Sequence, residues 1–334
     1  MPVSNDTQDM KAIAVENPGQ HYRLVLHEVL APRPGAGQVL IRVAGAGLNN
    51  ADLLQARGLY PPPFGASPIL GMEVSGVIAE LGEGVQGWKI GEKICALLAG
   101  GGYGEFAVAD AGCILTVPES VDLVEAAGLP EAAFTAWTNV MDTGRLQPGE
   151  SLLIHGGTSG IGSLAIQMFA ARGHRIFTTA GSERKCEAAR SFGAARAINY
   201  HTEDFVAVVK TETNSEGVDV ILDMVGGSYI QRNIEAAAPW GRIINIAYQE
   251  SFQAEVNFRA VLTKRLTLAA TTLRGRDAAQ KQAIRDALVR EVWPLLGTQV
   301  NPVIDRIFPL AETGQAHDLM RKTGHIGKIL LQLM

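Results

Sequence analysis

Cysteine is scarce in this 334-residue chain, which contains only Cys95, Cys113 and Cys186 and no Cys-x-x-Cys pair. An odd and sparse set argues against a disulfide framework and is typical of proteins from a reducing compartment. No apolar run reaches the roughly 18 residues that a membrane span needs. Residues 1–9 are polar and carry no basic or apolar segment, so we expect no signal peptide, a cytoplasmic location and no membrane partner.

The chain also lacks an excess of positive charge. It has 29 Lys and Arg against 34 Asp and Glu, which gives a formal net charge of -5. We therefore expect no nucleic-acid partner, because nucleic-acid binding needs a basic surface. Hydrophobic residues are abundant at 47%, and this content and the length predict two domains with cores of their own.

The pattern of strands and turns changes along the chain. Short β-type segments separated by Gly and Pro clusters run to about Pro118 and predict a small, irregular, barrel-like domain. After about Glu131, apolar strands alternate with amphipathic helices, which indicates a parallel sheet covered on both faces. We predict an α/β protein with a β-rich domain (10–132), a doubly wound Rossmann domain with a parallel sheet (133–274) and a return to the first domain (275–334).

A glycine-rich turn at 154–162, Ile-His-Gly-Gly-Thr-Ser-Gly-Ile-Gly, joins an apolar strand to a helix. Glycines let backbone N–H groups approach a pyrophosphate, and a helix N-terminus favours negative charge. The spacing departs from G-x-G-x-x-G, so an ordinary tight turn is the alternative interpretation. The predicted cofactor-binding positions here are Gly157, Ser159, Gly160, Ile161 and Gly162.

The end of the next strand indicates which cofactor binds. NAD-binding folds carry an acidic residue there that bonds the adenosine ribose, whereas this chain has Gly181. Ser182 can donate a hydrogen bond to a 2′-phosphate, and Lys185 can supply a charge. Tyr200, which ends the third strand, is a further candidate, although packing at the sheet edge also explains it. These residues favour NADPH over NADH.

These motifs resemble the medium-chain dehydrogenase/reductase superfamily and, within it, the zeta-crystallin-type quinone oxidoreductases. The resemblance covers Met10 to Leu333. It implies a GroES-like catalytic domain, a Rossmann domain inserted within it, and a homodimer joined through the Rossmann sheets. The motifs that carry it are Leu153–Gly162, Gly181-Ser182-x-x-Lys185, Asn199-Tyr200, Gly47-Leu48-Asn49, Gly58-Leu59-Tyr60-Pro61-Pro62-Pro63 and Gly327-Lys328-Ile329.

The residues that hold zinc in the zinc-dependent relatives are missing here. Those relatives carry a Cys in a G-x-C segment, a His in a G-H-E motif and a loop of four cysteines. This chain has Asn49 and Met72 at the first two positions and a single cysteine, Cys95, in the loop region. We therefore predict no metal. Without a Lewis acid, alcohol oxidation is disfavoured, while reduction of an already electrophilic acceptor needs mainly alignment.

The resemblance implies that Asn49 and Tyr60 lie beside the nicotinamide and contact the acceptor. A turn amide and a loop residue packed on prolines are the ordinary alternatives for these two. Asp52 is better explained as a first-turn helix carboxylate than as a base, and His155 as a core histidine. Thr135 matches a family position near the nicotinamide, and Lys328 is a further cofactor-binding candidate. Gly226, Ala247 and Tyr248 follow the fourth and fifth strands of the parallel sheet, whose carboxyl ends bind ligands, so we expect them to border the nicotinamide ribose and carboxamide. A helix cap explains Thr135 equally well, and a solvated strand-edge lysine explains Lys328.

The function predicted is transfer of hydride or electrons from NADPH to a small-molecule quinone without zinc. An NADPH-dependent 2-alkenal or enoyl-thioester reductase and a non-catalytic NADPH-binding protein remain as alternatives on the same fold. A short-chain dehydrogenase is disfavoured, because none of the six tyrosines has a lysine four positions later. The physiological acceptor, the number of electrons per step, assembly beyond a dimer and the role of 1–9 stay open.

Overall fold

A computed structural model describes residues 8–334 of the chain. Most of the N-terminal segment whose role the sequence leaves open therefore lies outside the described residues. The described chain forms two compact units. The first unit runs to Glu131 and resumes over Arg274–Gly297 and Pro302–Met334, and the second contains Ala132–Leu273 and Thr298–Asn301. The domain boundaries drawn from the sequence stay a prediction, because compactness does not show that either part folds alone.

The strands are numbered in chain order. They are β1 (Asp9–Glu16), β2 (Arg23–Leu30), β3 (Gln38–Gly47), β4 (Glu73–Leu81), β5 (Lys93–Leu97), β6 (Phe106–Asp110), β7 (Ile114–Thr116), β8 (Ser151–His155), β9 (Arg175–Ala180), β10 (Arg196–Asn199), β11 (Val218–Asp223), β12 (Ala237–Asn245), β13 (Thr267–Ala270), β14 (Ile304–Pro309) and β15 (Lys328–Gln332).

The α-helices are numbered in the same way. They are α1 (Asn50–Ala56), α2 (Pro130–Trp137), α3 (Gly160–Ala170), α4 (Glu183–Ser191), α5 (Phe205–Glu212), α6 (Tyr229–Ala236), α7 (Phe258–Lys264), α8 (Ala278–Glu291) and α9 (Thr313–Arg321). No helix within residues 8–334 combines the length and apolar character that crossing a membrane requires.

The first unit is built on a mostly antiparallel sheet in the order β14-β15-β3-β4-β5-β7, with β6 also paired to β3. The strands β1 and β2 form a separate antiparallel pair, which is joined to the rest by a bond from the Ile13 N–H to the Tyr103 carbonyl. Apolar side chains on the inner faces of these strands form one core, which includes Ile13, Ile41 and Leu331. The irregular β-rich domain that the sequence predicts is confirmed.

The second unit contains a six-stranded, entirely parallel sheet in the order β10-β9-β8-β11-β12-β13. This order reverses direction at β8, as in the doubly wound Rossmann sheet, and such a sheet binds ligands at the carboxyl ends of its strands. The strands are apolar because helices cover the sheet: Leu153, Phe177 and Ile221 are fully buried. The predicted parallel sheet is confirmed.

Several elements differ from the sequence-based expectation. The chain forms α2 from Pro130, so Thr135 lies inside this helix and the interpretation of Thr135 as a starting cap is wrong. Proline at the first helical position was the signal for this boundary. The helix α7 was not predicted, because it has no buried residue and therefore little apolar periodicity.

Candidate functional site

The predicted phosphate-binding turn has no room for a side chain at several of its glycines. Gly156 has a φ of +71°, and a Cβ at Gly157 would overlap the Thr178 hydroxyl on the neighbouring strand. A Cβ at Gly162 would likewise overlap the Gly156 carbonyl oxygen. The glycines therefore let the helix start close against the sheet, as the close approach of a dinucleotide backbone requires.

The same turn leaves helix donors available. Ser159 caps α3, and its hydroxyl accepts a hydrogen bond from the Gly162 N–H at 3.0 Å. Gly160 and Ile161 open the helix, where N–H groups lack intrahelical partners and the helix dipole favours an anion. A glycine-rich turn with N–H donors fits a pyrophosphate, so these residues fit a bound dinucleotide.

At the carboxyl end of β9, the hydroxyl of Tyr200 lies over Gly181. A Cβ at Gly181 would overlap that hydroxyl, so the tyrosine occupies the space that an acidic side chain would need. Ser182 caps α4 and accepts from the Lys185 N–H at 3.3 Å, which leaves its own proton available for donation. The structure thus places Tyr200 beside Gly181 and the Lys185 N–H beside Ser182, and cofactor binding by these four residues stays a prediction.

A second turn follows β11. Gly226 has a φ of +68°, and a Cβ there would lie 2.6 Å from the Tyr248 ring, so the two candidates pack together. Ala247 precedes this tyrosine in the segment after β12. These three residues lie at the carboxyl ends of adjacent strands, which is where ligands of open parallel sheets bind.

The buried carboxylate of Asp223 holds this second turn, and sequence reasoning missed it. It accepts hydrogen bonds from the Val225 N–H at 2.7 Å and the Asn245 amide at 2.8 Å, and a further one from Asn233. Asn233 in turn bonds His155, which is fully buried and whose pKa burial lowers. The interpretation of His155 as a core histidine is confirmed. An acidic residue ending an apolar strand was the available signal for Asp223.

In the first unit, Asn49 belongs to a buried polar cluster with Glu73 and Lys328. The Asn49 amide donates to Glu73 Oε1 at 2.9 Å, and the Lys328 ammonium donates to Asn49 Oδ1 at 2.8 Å. Lys328 also forms an ion pair with Glu73 and donates to the Leu48 carbonyl at 3.3 Å. Lys328 is 4% exposed and Glu73 0%. The alternative of a solvated lysine is therefore wrong.

Tyr60 lies against a cation rather than in this cluster. The Arg274 guanidinium is 5.4 Å from the centre of the Tyr60 ring. The same guanidinium donates to the Ala99 carbonyl at 2.9 Å and to Gln55 at 2.7 Å. Burial, and then the charge of Glu131, raise the pKa of Tyr60, while Arg274 opposes the rise. The phenol therefore keeps its proton near neutral pH and can donate a hydrogen bond.

A buried line of polar groups lies behind Asn49. Asp52 is in the first turn of α1, as predicted, and accepts from the Asn49 N–H at 2.8 Å, the Gly71 N–H at 3.0 Å and the Tyr103 hydroxyl at 3.2 Å. The Tyr103 hydroxyl also contacts His317 at 3.4 Å. Burial raises the pKa of Asp52 to about 6 and lowers that of His317 to about 3.

Within residues 8–334, no group of three or more His, Cys, Asp or Glu side chains is arranged to hold a metal ion. Met72, at the position of the second zinc ligand of the zinc-dependent relatives, is buried. At the first position, the Asn49 side-chain oxygen already accepts from the Lys328 ammonium. A zinc ion does not fit beside a resident cation with these donors.

Comparison with known proteins identifies the family. Residues 35–119 match the family described as "Alcohol dehydrogenase GroES-like domain". Residues 160–289 match the family described as "Zinc-binding dehydrogenase". A rat (Rattus norvegicus) quinone oxidoreductase is 30% identical, over 97% of this chain and 98% of its own length. The chain belongs to the medium-chain dehydrogenase/reductase superfamily, with a GroES-like and a Rossmann-like domain. It is an oxidoreductase of this family, and the family supports a nicotinamide cofactor.

Two further similarities are to a polyketide synthase subunit and to an enoyl reductase. A phenolphthiocerol/phthiocerol polyketide synthase polypeptide from Mycobacterium tuberculosis is 32% identical over 96% of this chain. The chain spans only 15% of the length of that synthase polypeptide. The crystal structure of the CurK enoyl reductase has a TM-score of 0.82 and 27% identity, and the match covers 98% of this chain and 100% of that one.

The buried pair Asp52 and His317 predicts opposite pH effects on stability. Asp52 has a folded-state pKa above its ordinary value of 3.8, so its contribution to stability falls as pH rises from about 4 to about 6. His317 has a folded-state pKa below its ordinary value of 6.5, so its contribution rises with pH over the same window. Each slope is at most about 1.4 kcal/mol per pH unit.

We expect the stability of His317→Gln, measured relative to the parent chain, to fall as pH increases from 4 to 6. The relative stability of Asp52→Asn should rise over the same range. Urea unfolding midpoints at closely spaced pH values measure both differences. The exposed His21→Gln serves as the control and should run parallel to the parent chain. Parallel curves for all three variants would show that the buried pair does not titrate in this way.

Proposed function

We propose that this chain reduces quinones with NADPH and without zinc. The observation that carries the proposal is the Asn49 cluster: the carboxamide at the position of the first zinc ligand accepts a hydrogen bond from the Lys328 ammonium, which is itself paired with Glu73. Such a cluster offers hydrogen bonds to a carbonyl oxygen rather than a Lewis acid. A quinone suits it, because a quinone is electrophilic without metal activation and needs mainly orientation.

The cofactor proposed is NADPH. When bound, its dihydronicotinamide supplies the hydride. Gly157, Ser159, Gly160, Ile161 and Gly162 would hold the pyrophosphate through the turn and the first N–H groups of α3. Around the second turn and α2, four residues would border the nicotinamide ribose and carboxamide: Gly226, Ala247, Tyr248 and Thr135.

Ser182 and Lys185 would bind the adenosine 2′-phosphate. Two features support this choice over NADH. The Ser182 hydroxyl keeps a proton to donate, and the Tyr200 hydroxyl leaves no room for a carboxylate at Gly181. Such a carboxylate would bind the ribose of NADH and repel the phosphate of NADPH.

Substitutions at and after the end of β9 should change the KM for NADPH and the KM for NADH differently. Ser182→Ala and Lys185→Met should each raise the KM for NADPH about tenfold, which corresponds to about 1.4 kcal/mol, and leave that for NADH unchanged. Gly181→Asp alone should weaken NADPH binding without improving NADH, because Tyr200 occupies the space. Gly181→Asp with Tyr200→Ala should gain use of NADH.

Steady-state kinetics with both cofactors measure these effects, and Lys210→Met, exposed in the same unit, is the control. The assignment of Ser182 and Lys185 to the 2′-phosphate would be contradicted by either of two results. One is an equal rise in the KM for NADPH and for NADH in Lys185→Met, and the other is a gain of NADH use in Gly181→Asp alone.

The acceptor class is tested by following NADPH absorbance with a panel of 1,2- and 1,4-quinones, 2-alkenals and enoyl thioesters. We expect the highest kcat/KM with a quinone, and no change on adding a zinc chelator. Loss of turnover with the chelator would refute the zinc-free proposal.

A second candidate, reduction of an enoyl thioester or 2-alkenal, is favoured by one observation. The CurK enoyl reductase is 27% identical to this chain, and its crystal structure matches with a TM-score of 0.82. Higher kcat/KM for an enoyl thioester than for any quinone would select this candidate. Tight NADPH binding without turnover on any acceptor would instead indicate a non-catalytic binding protein.

We also propose that two copies associate through the second unit. The strand β13 is the last in its sheet, and its Leu268 side chain is 40% exposed. Beside it, α7 has no buried residue and exposes Phe258 and Leu262. Exposed apolar side chains on a helix that precedes a free edge strand form the kind of surface that a second copy covers by strand pairing.

Leu262→Glu combined with Leu268→Lys should convert this dimer to a monomer, because two charges would lie in the buried contact. Light scattering after size-exclusion chromatography measures the mass. Ile90→Glu, an exposed apolar position in the first unit, is the control and should stay dimeric. A parent chain that elutes as a monomer at micromolar concentration would refute the proposal.

A further inference from the structure

We infer that Lys328 and Glu73 are positioning residues that fix the Asn49 carboxamide as a hydrogen-bond donor to the acceptor's carbonyl oxygen, and that Lys328 is not a cofactor ligand. This inference rests on the proposed function, in which Asn49 contacts the acceptor. It assigns the buried ion pair a role in catalysis through a third residue, in addition to its part in the fold.

The orientation of the Asn49 amide follows from the chemistry of its two partners. A lysine ammonium only donates, so the amide oxygen must face Lys328 Nζ, at 2.8 Å. A carboxylate only accepts, so the amide nitrogen must face Glu73 Oε1, at 2.9 Å. A rotation of the amide by 180° would break both bonds. The pair therefore permits a single orientation.

The donors and acceptors of the cluster then leave one hydrogen unused. A primary amide has two N–H donors, and Glu73 takes one of them. The second N–H of Asn49 is the donor that remains, on a side chain that is only partly buried. The ammonium at the amide oxygen draws electron density from the nitrogen, which strengthens this remaining donor.

Lys328 has no donor left for a cofactor phosphate. Its three ammonium hydrogens face Glu73, Asn49 and the Leu48 carbonyl oxygen. The other oxygen of Glu73 accepts from the Glu131 N–H at 2.8 Å. Both charges are thus satisfied inside the cluster, as buried charges must be.

The backbone around the cluster is shaped to hold this pair. A Cβ at Gly47 would overlap Glu73 Oε1, and a Cβ at Gly128 would lie 3.2 Å from Lys328 Cγ. The Leu48 N–H donates to the Ile329 carbonyl at 3.0 Å, which joins the segment before Asn49 to β15. The site is therefore rigid on the side away from Asn49, as a positioning role requires.

A double-mutant cycle tests the inference. Glu73→Gln with Lys328→Met removes both charges together and leaves no unpaired buried charge. We expect this pair to lower kcat about tenfold in the parent chain and to have little further effect in Asn49→Ala, which itself lowers kcat on the order of 100-fold. The NADPH Kd, from nicotinamide fluorescence, should stay within about twofold in all variants.

A spectroscopic readout separates positioning from stability. Infrared spectra should be recorded for 9-fluorenone bound to the NADP⁺ complex. In the parent chain, the C=O stretch of the bound ketone should lie at lower frequency than that of the free ketone. The shift should be lost in Asn49→Ala and reduced in the Glu73→Gln, Lys328→Met pair. The control pair, Glu150→Gln with Arg242→Met, removes a partly buried ion pair of the second unit and should leave the shift intact.

Three results would overturn the inference. The first is that the Glu73→Gln, Lys328→Met pair lowers kcat equally in the parent chain and in Asn49→Ala. The second is a tenfold rise in the NADPH Kd of a variant that carries Lys328→Met, and the third is the absence of an infrared shift in the parent chain. If the charge pair does not fold, Lys328→Arg replaces it, and its effect on kcat should likewise vanish in Asn49→Ala. An infrared shift without turnover on any acceptor would refute the proposed function and leave the positioning role standing.

Discussion

The first unit depends on one buried ion pair, between Glu73 at the start of β4 and Lys328 at the start of β15. Removing a charged group from water is unfavourable, so the pair persists only because every remaining donor and acceptor is satisfied locally. That requirement explains the surrounding sequence: glycine at position 47 to admit the carboxylate, and an amide at position 49 that bonds both charges. Breaking one partner would leave a buried charge unpaired, at a cost of about 3–5 kcal/mol.

In the second unit, local contacts likewise fix two turns of the sheet. The backbone of these turns is the part that a dinucleotide would contact. At the first, close packing admits only glycine, and the helix N–H groups are left for an anion. At the second, Asp223 holds the Val225 and Gly226 N–H groups and the Asn245 amide together. Because these turns end adjacent strands, a sheet that forms correctly also assembles the surface that we propose for the dinucleotide.

Much of this architecture could be predicted from the sequence, because apolar strands and glycine turns are local signals. The parallel sheet, the glycine turn and the grouping of Gly181 with Ser182 and Tyr200 are examples. Contacts that join distant segments could not be predicted in the same way. Lys328 lies 255 residues after Glu73 in the chain, and nothing in either local sequence indicates that they pair. The helix α7 was also missed, since none of its residues is buried and its apolar periodicity is weak.

Under the proposed function, the same pairing would let a chain that lacks the zinc ligands act on a carbonyl acceptor. A fixed ammonium behind an amide supplies directed hydrogen bonding where a metal would supply a Lewis acid, so only acceptors that are already electrophilic suit it. A crystal structure of the protein with NADP⁺ and 9-fluorenone tests this central claim most directly. The account predicts the ketone oxygen within hydrogen-bonding distance of Asn49 Nδ2, with Lys328 still bonded to Asn49 Oδ1. A Lys328 side chain turned to a cofactor phosphate, with Asn49 away from the ketone, would contradict it.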